Sequence, residues 1–252
     1  MEAAATSVEK AVDLLFHLHA VAEAQGVTAI GRALGVPKSS AHRMLRSLSR
    51  RGLVERDERG LYRPGIGLLA LGLGALDREP IALAARPVLE RQAEALGETF
   101  FMVVARAGEL VIIDKAEGTG LLRAAPRLGS RVPVHATAAG KLYLAFAPDR
   151  LREASALSRH AFTPRTLREP RALSEEVARC RKRGWASNCD EWISGLSVLA
   201  APIMRRGQIE GVVALAAAST RFEHLGGEAL SRRVLQTAGS IADRLCGGVT
   251  QP

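Results

Sequence analysis

The stretch GVPKSSAHRMLRSLSRRGLVERDERGLYRPG, residues 35–65, decides how this chain is read. Pro37 suits the first turn of a helix, where its missing N–H costs nothing. From Lys38 to Arg50, Ala41, Met44, Leu45 and Leu48 fall at i, i+3, i+4 and i+7, which makes one apolar stripe. The rest of that helix surface is Lys38, Ser39, Ser40, His42, Arg43, Arg46, Ser47 and Arg50, without a single acid. A solvated helix face normally mixes signs. Uniform cations with small hydroxyls and a histidine suit phosphate oxygens and base edges in a DNA major groove instead. After Gly52, the spacing predicts a strand at Leu53–Glu55, a turn at Asp57–Gly60 and a returning strand at Leu61–Arg63. A basic helix followed by a hairpin is a winged helix-turn-helix, with Arg59 and Arg63 placed where a wing meets backbone phosphates.

Upstream, apolar residues at Val8, Ala11, Val12, Leu15 and Leu18 predict a first helix with Ser7 as N-cap, ended by Gly26. Thr28 then caps a short second helix with Ile30 and Leu34 inside, closed by Gly35. A short helix, a glycine turn and a basic amphipathic helix is the helix-turn-helix order. Downstream, GIGLLALGLGAL (residues 65–76) is apolar and glycine-interrupted, and reads either as a buried helix or as an extended connector.

The 252 residues exceed one average domain, and two domains are expected. The 35 basic and 26 acidic residues leave a formal charge of +9, which favours a polyanionic partner. Cys180, Cys189 and Cys246 show no C-x-x-C spacing, which argues against a disulfide framework or a thiolate zinc site. The N-terminus has no basic-then-apolar pattern, and no apolar run reaches the roughly 20 residues of a membrane helix. A soluble cytoplasmic protein without membrane contact is expected.

Past the linker the pattern changes. Residues 81–96 are helical in spacing, and TFFMVVARAGELVIIDKAEG reads as a hairpin turning at Ala107-Gly108-Glu109. Small residues from Ala136 to Gly140 open a helix whose backbone N–H groups a ligand can approach. A further helix is predicted over Arg171–Arg183, with its basic end solvated. Strands follow at Trp185–Glu191, Gly195–Met204 and Ile209–Ala218, and a final helix at Glu223–Cys246 buries Leu230, Val234, Ala238, Ile241 and Leu245. Hairpins flanked by helices make an α+β domain with a mostly antiparallel sheet.

The run P-K-S-S-A-H-R, the R-G-L-V after it and the Y-R-P-G before a Leu/Gly-rich linker resemble the DNA-binding segment of the isocitrate-lyase-regulator (IclR) family. P-V-H-A-T-A-A-G-K and D-E-W-I-S-G-L-S-V-L-A-A-P-I carry the resemblance through the C-terminal part, whose family fold is a GAF-like effector-binding domain. The resemblance implies a winged helix-turn-helix over 1–64, a linker helix at a dimer interface over 65–80, and an effector-binding domain over 81–252. It places Thr28, Lys38, Ser39, Ser40, His42, Arg43 and Arg46 at or near DNA. The implied partners are a double-stranded operator and a second copy of the chain, as a homodimer or a dimer of dimers.

The positions matching the family's effector pocket are Leu121, Ala124, Val132, Ala138, Ala139, Asn188, Leu196, Val198, Ala216 and Ala218. Relatives that bind very small polar acids carry polar side chains at several of the later positions. Here they read Asn188, Val198, Ala216 and Ala218, which favours a larger, partly apolar organic acid, aromatic or branched. Arg123, Arg127 and Arg131 either supply a carboxylate fork or are surface arginines. His135 either senses the ligand or bonds within the core, and the core is the expectation.

No cofactor or metal is implied. A catalytic reading lacks a G-x-S-x-G elbow, a P-loop or H-E-x-x-H. Gly118-x-Gly120 lacks its third glycine, Cys189 beside Asp190 has no indicated histidine partner, and His17 and His19 sit two apart on different helix faces. The expected function is therefore a ligand-responsive transcriptional regulator, a repressor by family habit. The rivals are an effector-independent DNA binder and, more remotely, an enzyme.

Overall fold

The computed structural model describes residues 6–120, 126–151 and 160–247. The chain divides into two compact units between Arg78 and Glu79.

In the first unit, α1 (Ser7–Ala20) is capped by Thr6 rather than by Ser7. The Thr6 hydroxyl accepts the Glu9 N–H at 3.2 Å, and the Glu9 carboxylate accepts the Thr6 N–H at 2.6 Å. This reciprocal box satisfies two otherwise orphaned donors. α2 (Val27–Ala33) has Gly26 as its N-cap, so Thr28 lies within the first turn, exposed, instead of capping it. α3 (Lys38–Ser49) follows a turn at Gly35, whose φ of 62° suits glycine. Leu14, Leu18, Ile30, Leu45, Val54 and Tyr62 make one core. Val8 and Val12, expected on the inner stripe of α1, point outward.

The wing is β1 (Val54–Arg56) antiparallel to β2 (Tyr62–Pro64), each one residue later in the chain than expected. α4 (Ile66–Leu76) continues from β2 as a helix with no buried residue. Its start is seated on the turn between α3 and β1: the Gly67 N–H donates to the Gly52 carbonyl at 2.8 Å. A Cβ at Gly65 would stand 2.4 Å from that oxygen, so this close backbone approach requires glycine.

In the second unit, five antiparallel strands lie in the order β4-β3-β7-β6-β5. They are β3 (Thr99–Arg106), β4 (Glu109–Ala116), β5 (Ala186–Cys189), β6 (Leu196–Arg205) and β7 (Gln208–Ala218). Two hairpins turn on Ala107-Gly108 and Arg206-Gly207, all four with positive φ, the geometry that matches strand twist. α5 (Pro80–Leu96) and α9 (Gly227–Cys246) pack on one sheet face. α6 (Ala138–Phe146) covers the other face, with α7 (Pro170–Arg183) against it. The fold is α+β, as the hairpin pattern predicts.

Two expectations are corrected. The last helix is broken at Gly226 (φ 76°) into α8 (Ser219–Leu225) and α9, and Leu245 is only half-buried. β5 is shorter than Trp185–Glu191: Trp185 stacks under the Arg183 guanidinium at 3.8 Å, and Asp190 leaves the strand at φ 59°.

α6 fits because of Gly140, where a Cβ would lie 1.8 Å from the Val134 carbonyl oxygen. Tyr143 on the same helix is buried, and its hydroxyl accepts the Ala105 N–H at 3.0 Å. Burial pushes the Tyr143 phenol up to about 12.

Candidate DNA-reading surface and ligand cavity

On α3, Ala41 and Leu45 are buried while Lys38, Ser39, His42, Arg43, Arg46, Ser47 and Arg50 are exposed, with Ser40 half-buried. Among the described residues, Lys38, Arg43 and Arg46 have no carboxylate partner, unlike many arginines of the second unit. An exposed cationic row without internal counter-ions is an electrostatic footprint for a polyanion. In the wing, Arg59 is exposed at the turn. Arg63 is turned to its neighbour strand, pairing with Glu55 at 3.2 Å, while the other Glu55 oxygen accepts the Ile66 N–H at 3.0 Å. Glu55 therefore ties the wing to the start of α4, a link that strand periodicity does not reveal.

The second unit holds a cavity of about 420 Å³ between the α6 face of the sheet and the N-terminus of α6. Val132, Ala138, Ala139, Asn188, Leu196, Val198 and Ala216 from the sequence-derived set all line it. Ala218 does not: it is the last residue of β7, beyond the wall, where the Ser219 N–H turns to the Gly195 carbonyl at 2.9 Å. Leu121, Ala124 and Arg123 lie outside the described residues. The walls the sequence did not reveal are Phe101 and Val103 of β3, Ile112 of β4, Ala214 of β7 and the loop Trp192–Gly195.

The cavity is mainly apolar, with polarity gathered at the start of α6. There the Thr137 hydroxyl accepts the Gly140 N–H at 3.1 Å. The N–H groups of Ala138 and Ala139 have no hydrogen-bond partner among the described residues, as the first turn of a helix requires. Asn188 on β5 bonds to the chain just before α6, with its Nδ2 donating to the Ala136 carbonyl at 2.9 Å. Arg127 lines the cavity, whereas Arg131 is exposed, 3.9 Å from Glu109, and outside the wall. His135 is buried, its Nε2 2.9 Å from the His160 carbonyl oxygen, and is likewise outside the wall.

The wall loop is braced from behind. Lys141 on α6 is buried, donating to Glu191 at 2.6 Å and to the Ser187 carbonyl at 2.9 Å. Burial raises the Glu191 carboxyl and Lys141 draws it back. Asp190 accepts from the Gly195 N–H and the Ser219 hydroxyl, each at 2.7 Å, so its carboxylate is occupied in shaping the loop. Cys189 is exposed and outside the cavity wall. Among the described residues, no group of histidines, cysteines and carboxylates could hold a metal ion, and no helix is long and apolar enough to cross a membrane.

A winged helix-turn-helix bearing an exposed cationic helix, joined in one chain to an α+β domain with its own cavity, is the architecture of a DNA-binding transcription regulator. Comparison with known proteins narrows this. The IclR helix-turn-helix domain matches residues 7–58, and the bacterial transcriptional regulator IclR C-terminal domain matches residues 73–243. The HTH-type transcriptional regulator XynR of Escherichia coli is 31% identical over 248 residues, covering 96% of this chain and 97% of XynR. The transcriptional repressor IclR of the same organism is 33% identical over 192 residues, 73% and 70% of the two chains. Among solved structures, Thermotoga maritima IclR superposes with a TM-score of 0.76 at 28% identity, covering 95% of this chain and 98% of that one. An IclR homologue of Microbacterium hydrocarbonoxydans, solved with 4-hydroxybenzoate, shares the fold at a TM-score of 0.83 and 23% identity, covering 96% and 100%. The chain belongs to the IclR family of bacterial transcriptional regulators.

Proposed function

We propose that this chain is a cytoplasmic transcriptional repressor that grips an operator through its first unit and is released or tightened by an organic acid held in its second. The observation that carries the DNA half is the exposed face of α3, which carries Lys38, Arg43 and Arg46 and no acid. In this reading, residues 1–64 bind DNA, 65–80 connect, and 81–252 sense. Lys38, Ser39, Ser40, His42, Arg43 and Arg46 reach the major groove. Thr28 and Arg59 meet the backbone, and Arg63 joins them by exchanging its Glu55 contact for a phosphate. A second copy supplies the second half-site.

The ligand is a partly apolar carboxylic acid. An anion fits the open N–H groups of Ala138 and Ala139, where the helix end adds its partial positive charge. The remaining wall, including Phe101, Trp192 and Val198, suits an aromatic or branched body. The 4-hydroxybenzoate bound by the Microbacterium homologue is an acid of this kind and a first probe.

The DNA half is tested by selecting a duplex from a random pool and measuring its binding by fluorescence anisotropy. Arg43→Ala and Arg46→Ala should each weaken binding by about 1–3 kcal/mol where the side chain reads a base. At a position that meets phosphate alone, the loss should be even across sequences and the salt slope shallower. Unchanged affinity in both variants would refute the recognition-helix assignment.

A further inference from the structure

A second hollow lies in the same unit, where the end of α7 meets α9 and the far part of β6. It holds about 410 Å³ and shares no lining residue with the cavity described above. β5 pairs with β6 only as far as Ala200, so β6 runs on past the end of that neighbour. Pro202, which has no N–H to offer a further strand, stands just beyond. The space left beside it is floored by Phe146 at the end of α6, Pro202 and Met204 of β6, and Leu235 of α9. Leu235 is 38% exposed, and its side chain lies 3.7 Å from where a Cβ on Gly184 would stand.

The charged part of the lining is Arg181, Lys182 and Arg183, and no acidic residue joins them. Cations in the last turn of a helix ordinarily offset the partial negative charge of its end. Arg183 already does this, donating to the Trp185 carbonyl and to Glu176, each at 2.8 Å. Arg181 and Lys182 are exposed and have neither a hydrogen bond nor a carboxylate partner among the described residues. A bare cationic helix end suits any polyanion, but a cationic rim over an apolar floor suits an amphiphile with an anionic head. The volume is that of a small-molecule site.

We infer that this groove is a second ligand site and that it takes an acyl-chain carboxylate. The chain lies on Phe146, Met204 and Leu235, and the carboxylate meets Arg181 and Lys182. The reading of the first cavity is independent of this one.

The chain's two tryptophans tell the sites apart. Trp185 stacks on Arg183 beside the groove, and Trp192 lines the first cavity. The full-length Trp192→Phe protein, with Trp185 as its only tryptophan, is titrated with decanoate below its micelle concentration while emission is followed. A saturable change is expected, and affinity should rise about twofold or more per methylene from hexanoate to decanoate. Decanol, with the same chain and no charge, should bind about fivefold more weakly. Arg181→Glu with Lys182→Glu, both on exposed side chains, should bring decanoate down to the level of decanol and leave decanol unmoved. Gly239→Leu, which fills open space in the groove, should weaken both. Equal binding of decanol and decanoate would overturn the inference. So would a decanoate response seen only from Trp192, in the Trp185→Phe protein, because the acid would then sit in the first cavity. No response to decanoate, with Gly239→Leu splitting an assembly in sedimentation velocity, would also overturn it and give the groove to a second copy of the chain.

Discussion

Lys141 is almost absent from the surface, and its ammonium is held by the Glu191 carboxylate and the Ser187 carbonyl. A buried pair of this kind adds little over an apolar pair of the same volume, yet breaking it by removing one partner costs about 3–5 kcal/mol. Lys141→Ala should therefore lower unfolding free energy by that amount in urea at neutral pH, and Lys141→Met with Glu191→Leu should recover most of it. The deficit in Lys141→Ala should shrink as pH falls from 7 towards 5. Glu191, already raised by burial, then takes up a proton more readily folded than unfolded, so stability rises as pH drops through its folded value. A pH-independent deficit would contradict this. Burial also pushes the Cys180 thiol up to about 11, whereas Cys189 and Cys246 are exposed. Maleimide at neutral pH should label Cys189 and Cys246 in the native protein and reach Cys180 only after denaturation, as counted by mass spectrometry.

At the scale of elements, α6 depends on the close seat of Gly140 against Val134. Gly140→Ala should shift the N-terminus of α6, lower the melting temperature and weaken acid binding together. Gly239→Ala on α9, where nothing lies near the added carbon, should be neutral or slightly stabilising. The elements also mark what the sequence could reveal. α3 was legible because its apolar stripe and one-signed surface agree at every position. At the cap of α1, Ser7 is itself a good capping residue, and only the Thr6–Glu9 reciprocity favours Thr6 over it. The break at Gly226 was hidden because the apolar spacing of α9 runs on from α8 without a proline. In the cavity, Val132 to Ala216 were reachable through family likeness. Phe101, Ile112 and Trp192 converge only when β3, β4 and the 190–195 loop are brought together, and no local period records that.

At the scale of the whole molecule, the first unit exposes a set of large apolar side chains. Ile66, Leu69, Leu71 and Leu73 on α4, and Val8, Val12 and Phe16 on α1, are all exposed. Clustered exposed apolar side chains on one helix, as on α4, suit an interface, and a homodimer is the expected occupant, in keeping with a two-half-site operator. Leu69→Asp with Leu73→Asp should convert a dimer into monomers in sedimentation velocity and lower operator affinity, while the melting of the second unit stays unchanged. A native chain that sediments as a monomer at micromolar concentration would contradict this.

A sensor regulates only to the extent that its ligand binds one arrangement of the molecule better than another. The most direct measurement is therefore operator anisotropy with and without an acid that has been shown to stabilise the chain thermally. A shift of about fivefold or more in operator Kd is the expected result. An acid that fills the cavity and leaves operator affinity unchanged would contradict the proposal that this chain is a ligand-gated regulator.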